Sequence, residues 1–307
     1  MRNAFAEKLT ELTNKNKKII LLSGDIGNKL FDNFKKKHKK NFFNCGVAEA
    51  NMTTVAAGLA YAGFQPITYT ISSFNIFKTV EQIKLDICYQ NLPVIIVGVG
   101  SGLAYSNLGT THHSIEDIGV LNSIPNLNIV CPADSIELKV LLKQIINSKK
   151  PTYLRIGKKK EVLIYKNKCN SKLGQPIIIK KGQKICIFGT GNILNEAIIA
   201  VNKFKNKIIN PQIVNVHTIK PINEKKILSF LNKFKKIIIL EEHVDKGGLS
   251  SIIMKISAKS KLKHIFINHN AGDNFLVGGG DNNNARKKLG IDANSIKKSI
   301  LRISKMK

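Results

Sequence analysis

The stretch PVIIVGVG, residues 93–100, decides the fold. It carries no polar side chain, opens on a proline and runs through β-branched residues to a glycine. The run is too short for a membrane span, which needs about 20 apolar residues. It also lacks the alternation of a strand with one wet face. It reads as a strand buried on both faces of a parallel sheet, and such a sheet needs helices on both sides.

The segments on either side repeat the same grammar. Upstream, Phe5, Leu9 and Leu12 mark a helix, and KIILL (18–22) a strand that ends at Ser23-Gly24-Asp25. FFNC (42–45) reads as a short strand, Ala48 to Tyr61 as a helix of small residues, Ile67–Thr70 as a strand and Thr79–Tyr89 as a helix. Downstream, strand Asn128–Cys131, a helix from Ser135 to about Asn147 and strand Thr152–Ile156 complete a first unit. The polar segment GKKKEVLIYKNKCNSKLG (157–174) interrupts the pattern. A second series then places strands at Ile185–Phe188, Ile213–Val216, Lys236–Leu240 and Ile265–Ile267, with helices at Ile193–Phe204 and Glu224–Phe234 and others starting at Leu249 and Ser295. GGGDNNN (278–284) reads as a loop. The expectation is an α/β protein of two three-layer α/β/α domains with mostly parallel sheets. They span residues 1–160 and 175–307, joined by a linker at 161–174.

Composition fits this plan and narrows the function. The chain has 307 residues, 43% of them hydrophobic, enough for two cores. The opening segment MRNAFAEKLTELTNKNKK has no apolar stretch of the signal-peptide kind, and no run reaches membrane-spanning length, so a cytoplasmic protein is expected. Five cysteines, odd in number and without CxxC spacing, read as reduced thiols and give neither a disulfide framework nor a zinc site. The excess of 49 Lys+Arg over 20 Asp+Glu, a net charge of +29, would suit nucleic acid, an anionic membrane or anionic substrates. The lysines, however, are scattered among Asn and Ile, with only short runs at KKKHKK (35–40) and GKKK (157–160), and tryptophan is absent. No row of aromatics accompanies them as a stacking platform. Neither nucleic acid nor membrane is expected as a partner. The charge reads as drift in composition, with attraction of phosphorylated substrates a side benefit.

Three places can carry chemistry. In NCGVAEANMTTVAAGLAYAG (44–63), Glu49 opens a helix rich in Ala and Gly. It is either a first-turn acid favoured by the helix dipole or an acid on a surface that packs closely against another subunit. Phe74 and Phe77 stand three apart and form either an apolar wall or ordinary core. His112 and His113 end a Gly/Ser/Asn-rich loop after the buried strand, where ligands bind in open α/β sheets. A metal role for these histidines lacks a third cluster, so no metal ligand is assigned on this chain.

Together these stretches resemble the transketolase family, including the deoxyxylulose-phosphate synthases. The resemblance rests on LLSGDIG (21–27), NCGVAEANM (44–52), SSFNIF (72–77), EQIKLDICYQNLPV (81–94), GTTHHSIEDIGVLNSIPNL (109–127), CPADSIE (131–137) and PTYLRIGK (151–158), in the family's order and spacing. TIKPINEKKI (218–227), EEHVDKGGLSS (241–251) and LGIDANSIKKSI (289–300) resemble its C-terminal domain. The likeness covers nearly the whole chain but only the second half of a full transketolase, as in split enzymes.

The resemblance implies a thiamine diphosphate enzyme that transfers a ketol unit between sugar phosphates or related sugars. Glu49 would hydrogen-bond the cofactor's pyrimidine nitrogen and so promote the imino form that deprotonates the thiazolium. Phe74 and Phe77 would pack on the pyrimidine, and Asp25 would lie near the cofactor and the subunit contact. His112 would act in catalysis and contact substrate, His113 beside it would contact substrate, and Arg155 would grip the sugar phosphate. The family's Gly-Asp-Gly motif for diphosphate and Mg²⁺ is missing, since Gly24-Asp25-Ile26 lacks the second glycine. A partner resembling the N-terminal transketolase half would hold both, in an α2β2 assembly. Two departures stand out. Gly100 replaces a histidine and Leu108 an acid that contact sugar hydroxyls in two-carbon-transferring transketolases, and this brings the chain closer to transketolase-like proteins of sugar modification. The alternatives are the β subunit of a 2-oxo-acid dehydrogenase's decarboxylating component and a non-catalytic subunit that completes a dimer.

Overall fold

The computed structural model describes residues 1–27, 29–158, 161–166, 169–204 and 209–306. The last two lysines of the GKKK run, the end of the expected first domain at 160 and residues 167 and 168 of the expected linker lie outside that set.

Six strands come from the first half: β1 (Ile19–Ser23), β2 (Phe42–Asn44), β3 (Gln65–Ile71), β4 (Ile95–Val99), β5 (Asn128–Val130) and β6 (Thr152–Ile156). The second half gives β7 (Ile177–Lys180), β8 (Ile185–Gly189), β9 (Gln212–Asn215), β10 (Thr218–Lys220), β11 (Lys236–Leu240) and β12 (Ile265–His269). They form a seven-stranded sheet of order β10-β5-β6-β4-β3-β1-β2 and a five-stranded sheet of order β12-β11-β8-β9-β7. All pairings are parallel except β10 with β5 and β7 with β9. The continuous apolar runs behave as their composition requires: every residue of β1, β4, β6 and β8 is buried.

The halves are less separate than the sequence pattern implies. β10 lies beyond the expected linker yet joins the edge of the first sheet, pairing Thr218 with Val130 and Lys220 with Ile129. One apolar cluster also runs across the boundary, from Leu22, Met52 and Ile96 to Phe188, Val214 and Ile239. The segment after β6 is tied down by Glu137, whose buried carboxylate accepts from Ala133 N, Tyr165 Oη, Ser171 Oγ and Asn215 Nδ2. Two local expectations also change. The helix expected over Thr79–Tyr89 is a short α turn at Val80–Gln82 followed by a π-helix at Ile83–Tyr89. The supposed loop at 278–284 gives way to a helix at Asn282–Lys288, whose N-terminus is capped by Asp281 accepting from Asn284 N at 2.8 Å.

The strand order places the crevice. β1 has β2 on one side and β3 on the other, so the chain leaves adjacent carboxyl ends in opposite directions between β1 and β3. Ligands bind at such switch points in open α/β sheets.

Candidate functional site

The carboxyl ends of β1, β3, β4 and β6 bring the candidate residues to one edge. Asp25 follows β1 in a left-handed conformation (φ 56°) and accepts from Asn44 Nδ2 at 2.9 Å. Asn44 ends β2, and its Oδ1 accepts from Gly46 N at 3.0 Å, which fixes the turn into helix Glu49–Tyr61. Glu49 opens that helix and is 3% exposed. Its Oε2 lies 3.2 Å from Lys78 Nζ. Lys78 in turn sits 4.9 Å from the centre of the Phe74 ring.

From Phe74 the contacts continue as a row of rings. Phe74 meets His112 edge-on at 5.1 Å, and His112 faces Tyr105 at 6.0 Å. Lys158 Nζ then lies 4.2 Å from the centre of the Tyr105 ring. An ammonium therefore caps each end, with the buried carboxylate of Glu49 beside the first. Such cation–ring contacts contribute about 0.5–2 kcal/mol each. Burial, followed by the charges of His113 and Lys158, lowers the pKa of His112 below the ordinary histidine value. The ring is therefore neutral at pH 7 and able to accept a proton. Lys158 also lines a cavity of about 320 Å³ between the two halves, with Thr190, Asn192 and Arg286 on its far side.

The structure gives other expected residues different surroundings. Phe77 is 45% exposed, and among the described residues no ring contact joins it to the row. His113 turns inward, 3% exposed, with Nε2 3.4 Å from the Ser106 carbonyl, so it holds the loop and does not face the cleft. Arg155 lines the same cavity as Lys158 and is also held within the fold. Its Nε donates to Asp117 Oδ2 at 2.8 Å, and its Nη2 donates to the carbonyls of Ser114 and Glu242 at 2.8 and 3.0 Å. Two of its three guanidinium nitrogens are thus held by the fold. Burial opposes ionisation of Asp117, but the attraction and hydrogen bond of Arg155 outweigh it and keep the carboxyl below its ordinary value. Tyr153 Oη donates to the same carboxylate at 2.6 Å, and Ser72 Oγ links Tyr153 to Ser114. This buried knot fixes the loop that carries His112 and His113, and through Glu242 ties it to the second half.

Lys78, Tyr105 and Lys158 are the site residues that the sequence did not single out. Lys158 stands in a short basic run; Lys78 and Tyr105 have no local pattern. Among the described residues, no three His, Cys, Asp or Glu side chains are grouped to hold a metal ion. A buried carboxylate next to an aromatic ring fits an aminopyrimidine, but not a diphosphate with its divalent ion.

Comparison with known proteins assigns both halves of the chain to one family. The transketolase pyrimidine-binding domain matches residues 1–161 and the transketolase C-terminal domain residues 174–296. One of the subunits of the apulose-4-phosphate transketolase of Actinobacillus succinogenes is 32% identical over 263 residues, 86% of this chain and 85% of that one. The 1-deoxy-D-xylulose-5-phosphate synthase of Caldanaerobacter subterraneus is 32% identical over 303 residues, 97% of this chain but 48% of that longer protein. A solved split-gene transketolase, described as an inactive beta4 tetramer, superposes with a TM-score of 0.87 at 25% identity, covering 98% of this chain and 97% of that one.

Proposed function

The chain belongs to the transketolase family, and we propose that it is the C-terminal subunit of a split enzyme, completed by a second polypeptide that holds the diphosphate and Mg²⁺ of thiamine diphosphate. One observation carries the reading: the unbroken row from Glu49 through Lys78, Phe74, His112 and Tyr105 to Lys158, laid along the carboxyl ends of the parallel strands. It joins a buried acid suited to the pyrimidine to a cation suited to a phosphate.

The cofactor, when bound, supplies the nucleophilic carbon that carries the ketol unit. The residues of this chain do the rest. Glu49 shares a proton with the pyrimidine nitrogen, which requires Lys78 to release it, and Phe74 supports the ring. His112, neutral, exchanges protons with the substrate's oxygen atoms. Lys158 receives the terminal phosphate, while Arg155 positions the loop through Asp117. Phe77 belongs to the rim, and the exposed side chains of Val47, Val55, Tyr61, Leu85 and Tyr89 offer surface for partner and second copy. Apolar surface of this kind marks association. The split-gene relative's inactive beta4 tetramer supports self-association of such a chain and its silence without the other half. The proposed form is an α2β2 assembly in the cytoplasm, acting on sugar phosphates.

The test is reconstitution. The purified chain alone should give no ketose from sugar phosphates and retain little thiamine diphosphate. With a diphosphate-binding subunit and Mg²⁺ it should make ketose and retain thiamine diphosphate. Turnover by the isolated chain would overturn the proposal.

A further inference from the structure

We propose that the second sheet carries a binding site of its own, a polar cavity at its switch point that takes a phosphorylated sugar. This site is separate from the row that faces the cofactor: of that row, only Lys158 lines the cavity. The strand order places it. β8 leads on to β9, its neighbour on one side, while β11, its neighbour on the other, leads on to β12. Their carboxyl ends therefore send the chain in opposite directions, and in open α/β sheets ligands bind in such a crevice. The cavity of about 320 Å³ lies there, lined by residues 190–193 after β8 and by Glu242 after β11.

Its polar groups are short of partners. Thr190 is 2% exposed, and its Oγ1 makes no proper hydrogen bond among the described residues; the Cys131 thiol beside it is a weak partner at best. The buried Oε1 of Glu161, also on the lining, is unpartnered too. The amides of Gly191, Asn192 and Ile193 make no hydrogen bond among the described residues, and helix Leu194–Asn202 after them has no side-chain cap. Two guanidiniums share the lining. Arg155 keeps Nη1 to spare, and Arg286 keeps Nη2, having given Nε to Glu242 at 2.6 Å and Nη1 to Glu196 at 3.0 Å. Those two acids are thereby neutralised. Amides before a helix, with guanidiniums nearby, suit a phosphate. The hydroxyl of Thr190 and the free oxygen of Glu161 suit the hydroxyls of a sugar, which inorganic phosphate would leave unused. The volume is that of a small-ligand pocket. An occupant would touch the same Arg155 that holds Ser114 behind His112, and so act as an effector of that loop.

The test is calorimetric titration of the full chain, without partner or cofactor, with ribose 5-phosphate. Inorganic phosphate and ribose, each part of that ligand, should bind about tenfold or more weakly. Thr190→Val should weaken ribose 5-phosphate about tenfold, Thr190→Ser should retain it, and His112→Asn should change it less than about twofold. If the Val variant does not fold, hydrogen exchange of the wild type decides: the sugar phosphate should slow exchange at the amides of residues 191–193. No binding by the wild type, no loss in Thr190→Val, a loss in His112→Asn or unchanged exchange at 191–193 would overturn the proposal. Phosphate bound as tightly as ribose 5-phosphate would overturn the sugar as ligand. None of these results depends on ketol transfer, which the reconstitution above tests by itself.

Discussion

Glu49 is placed by the backbone and by a single cation, which makes its role separable from its packing. Glu49→Gln keeps the size of the side chain but removes the proton it would share. If the residue only favoured the helix terminus, the change would cost about 1 kcal/mol or less and leave turnover intact. As a proton donor it should lower turnover about a hundredfold and slow deuterium exchange at the thiazolium carbon in parallel, with cofactor retention in the complex little changed. Exchange at the wild-type rate would refute the role. His112 gives a pH signature. Its pKa is lowered in the fold, so the neutral ring persists to lower pH than a free histidine near 6.5. The acid limb of kcat/KM should therefore fall below about pH 6.5, and His112→Asn should abolish it; a limb above that value would contradict the assignment. In the proposed function Lys158 takes the phosphate, a task that the family resemblance implied for Arg155. Arg155→Ala leaves Asp117 buried without its countercharge and should destabilise the fold by about 3–5 kcal/mol, seen in denaturant unfolding. Lys158→Ala should raise KM for phosphorylated substrates by about ten- to a hundredfold, with a smaller effect on unphosphorylated ones. Of the candidate row, Glu49 and His112 stood out in the sequence because each opens or ends a recognisable element. That Arg155 is held by Asp117, 38 residues away, is something no local pattern carries.

At the scale of elements, helix Glu49–Tyr61 shows two faces. Met52, Thr53, Ala56, Ala57 and Ala60 are buried, while Asn51, Thr54, Val55, Gly58 and Tyr61 are exposed, a stripe of helical period. A Cβ on Gly58 would meet nothing within 4 Å, and Tyr61 is 82% exposed. Tyr61→Asp should therefore leave the melting temperature of the lone chain unchanged but shift the assembly to smaller species in analytical ultracentrifugation. An unchanged assembly would place the contact elsewhere. The parallel strands were readable because burial on both faces demands unbroken apolar runs. β7 and β10 were not, for complementary reasons. β7 is an edge strand whose burial is incomplete, and β10 is three residues long, too short to show any period. Both are the antiparallel members, defined by their partners and not by their own composition. The helix at Asn282–Lys288 was hidden in the same way: its cap residue sits in a Gly/Asn-rich run that reads as loop.

At the scale of the whole molecule, the shared apolar cluster and the strand exchange make one cooperative unit of two sheets. Thermal unfolding of the lone chain should show a single transition with matching calorimetric and van't Hoff enthalpies, and two resolved transitions would count against this. β10 has a further consequence, in the order of synthesis. Residues 19–156 hold six strands of the first sheet, yet the seventh is not made until Lys220. While the ribosome adds the intervening residues, β5 waits as an open edge, with unpaired amides and carbonyls facing whatever is near. A nascent chain arrested between residues 160 and 217 would be the species most prone to capture by chaperones or by its neighbours on a polysome. Release past residue 220 would close it.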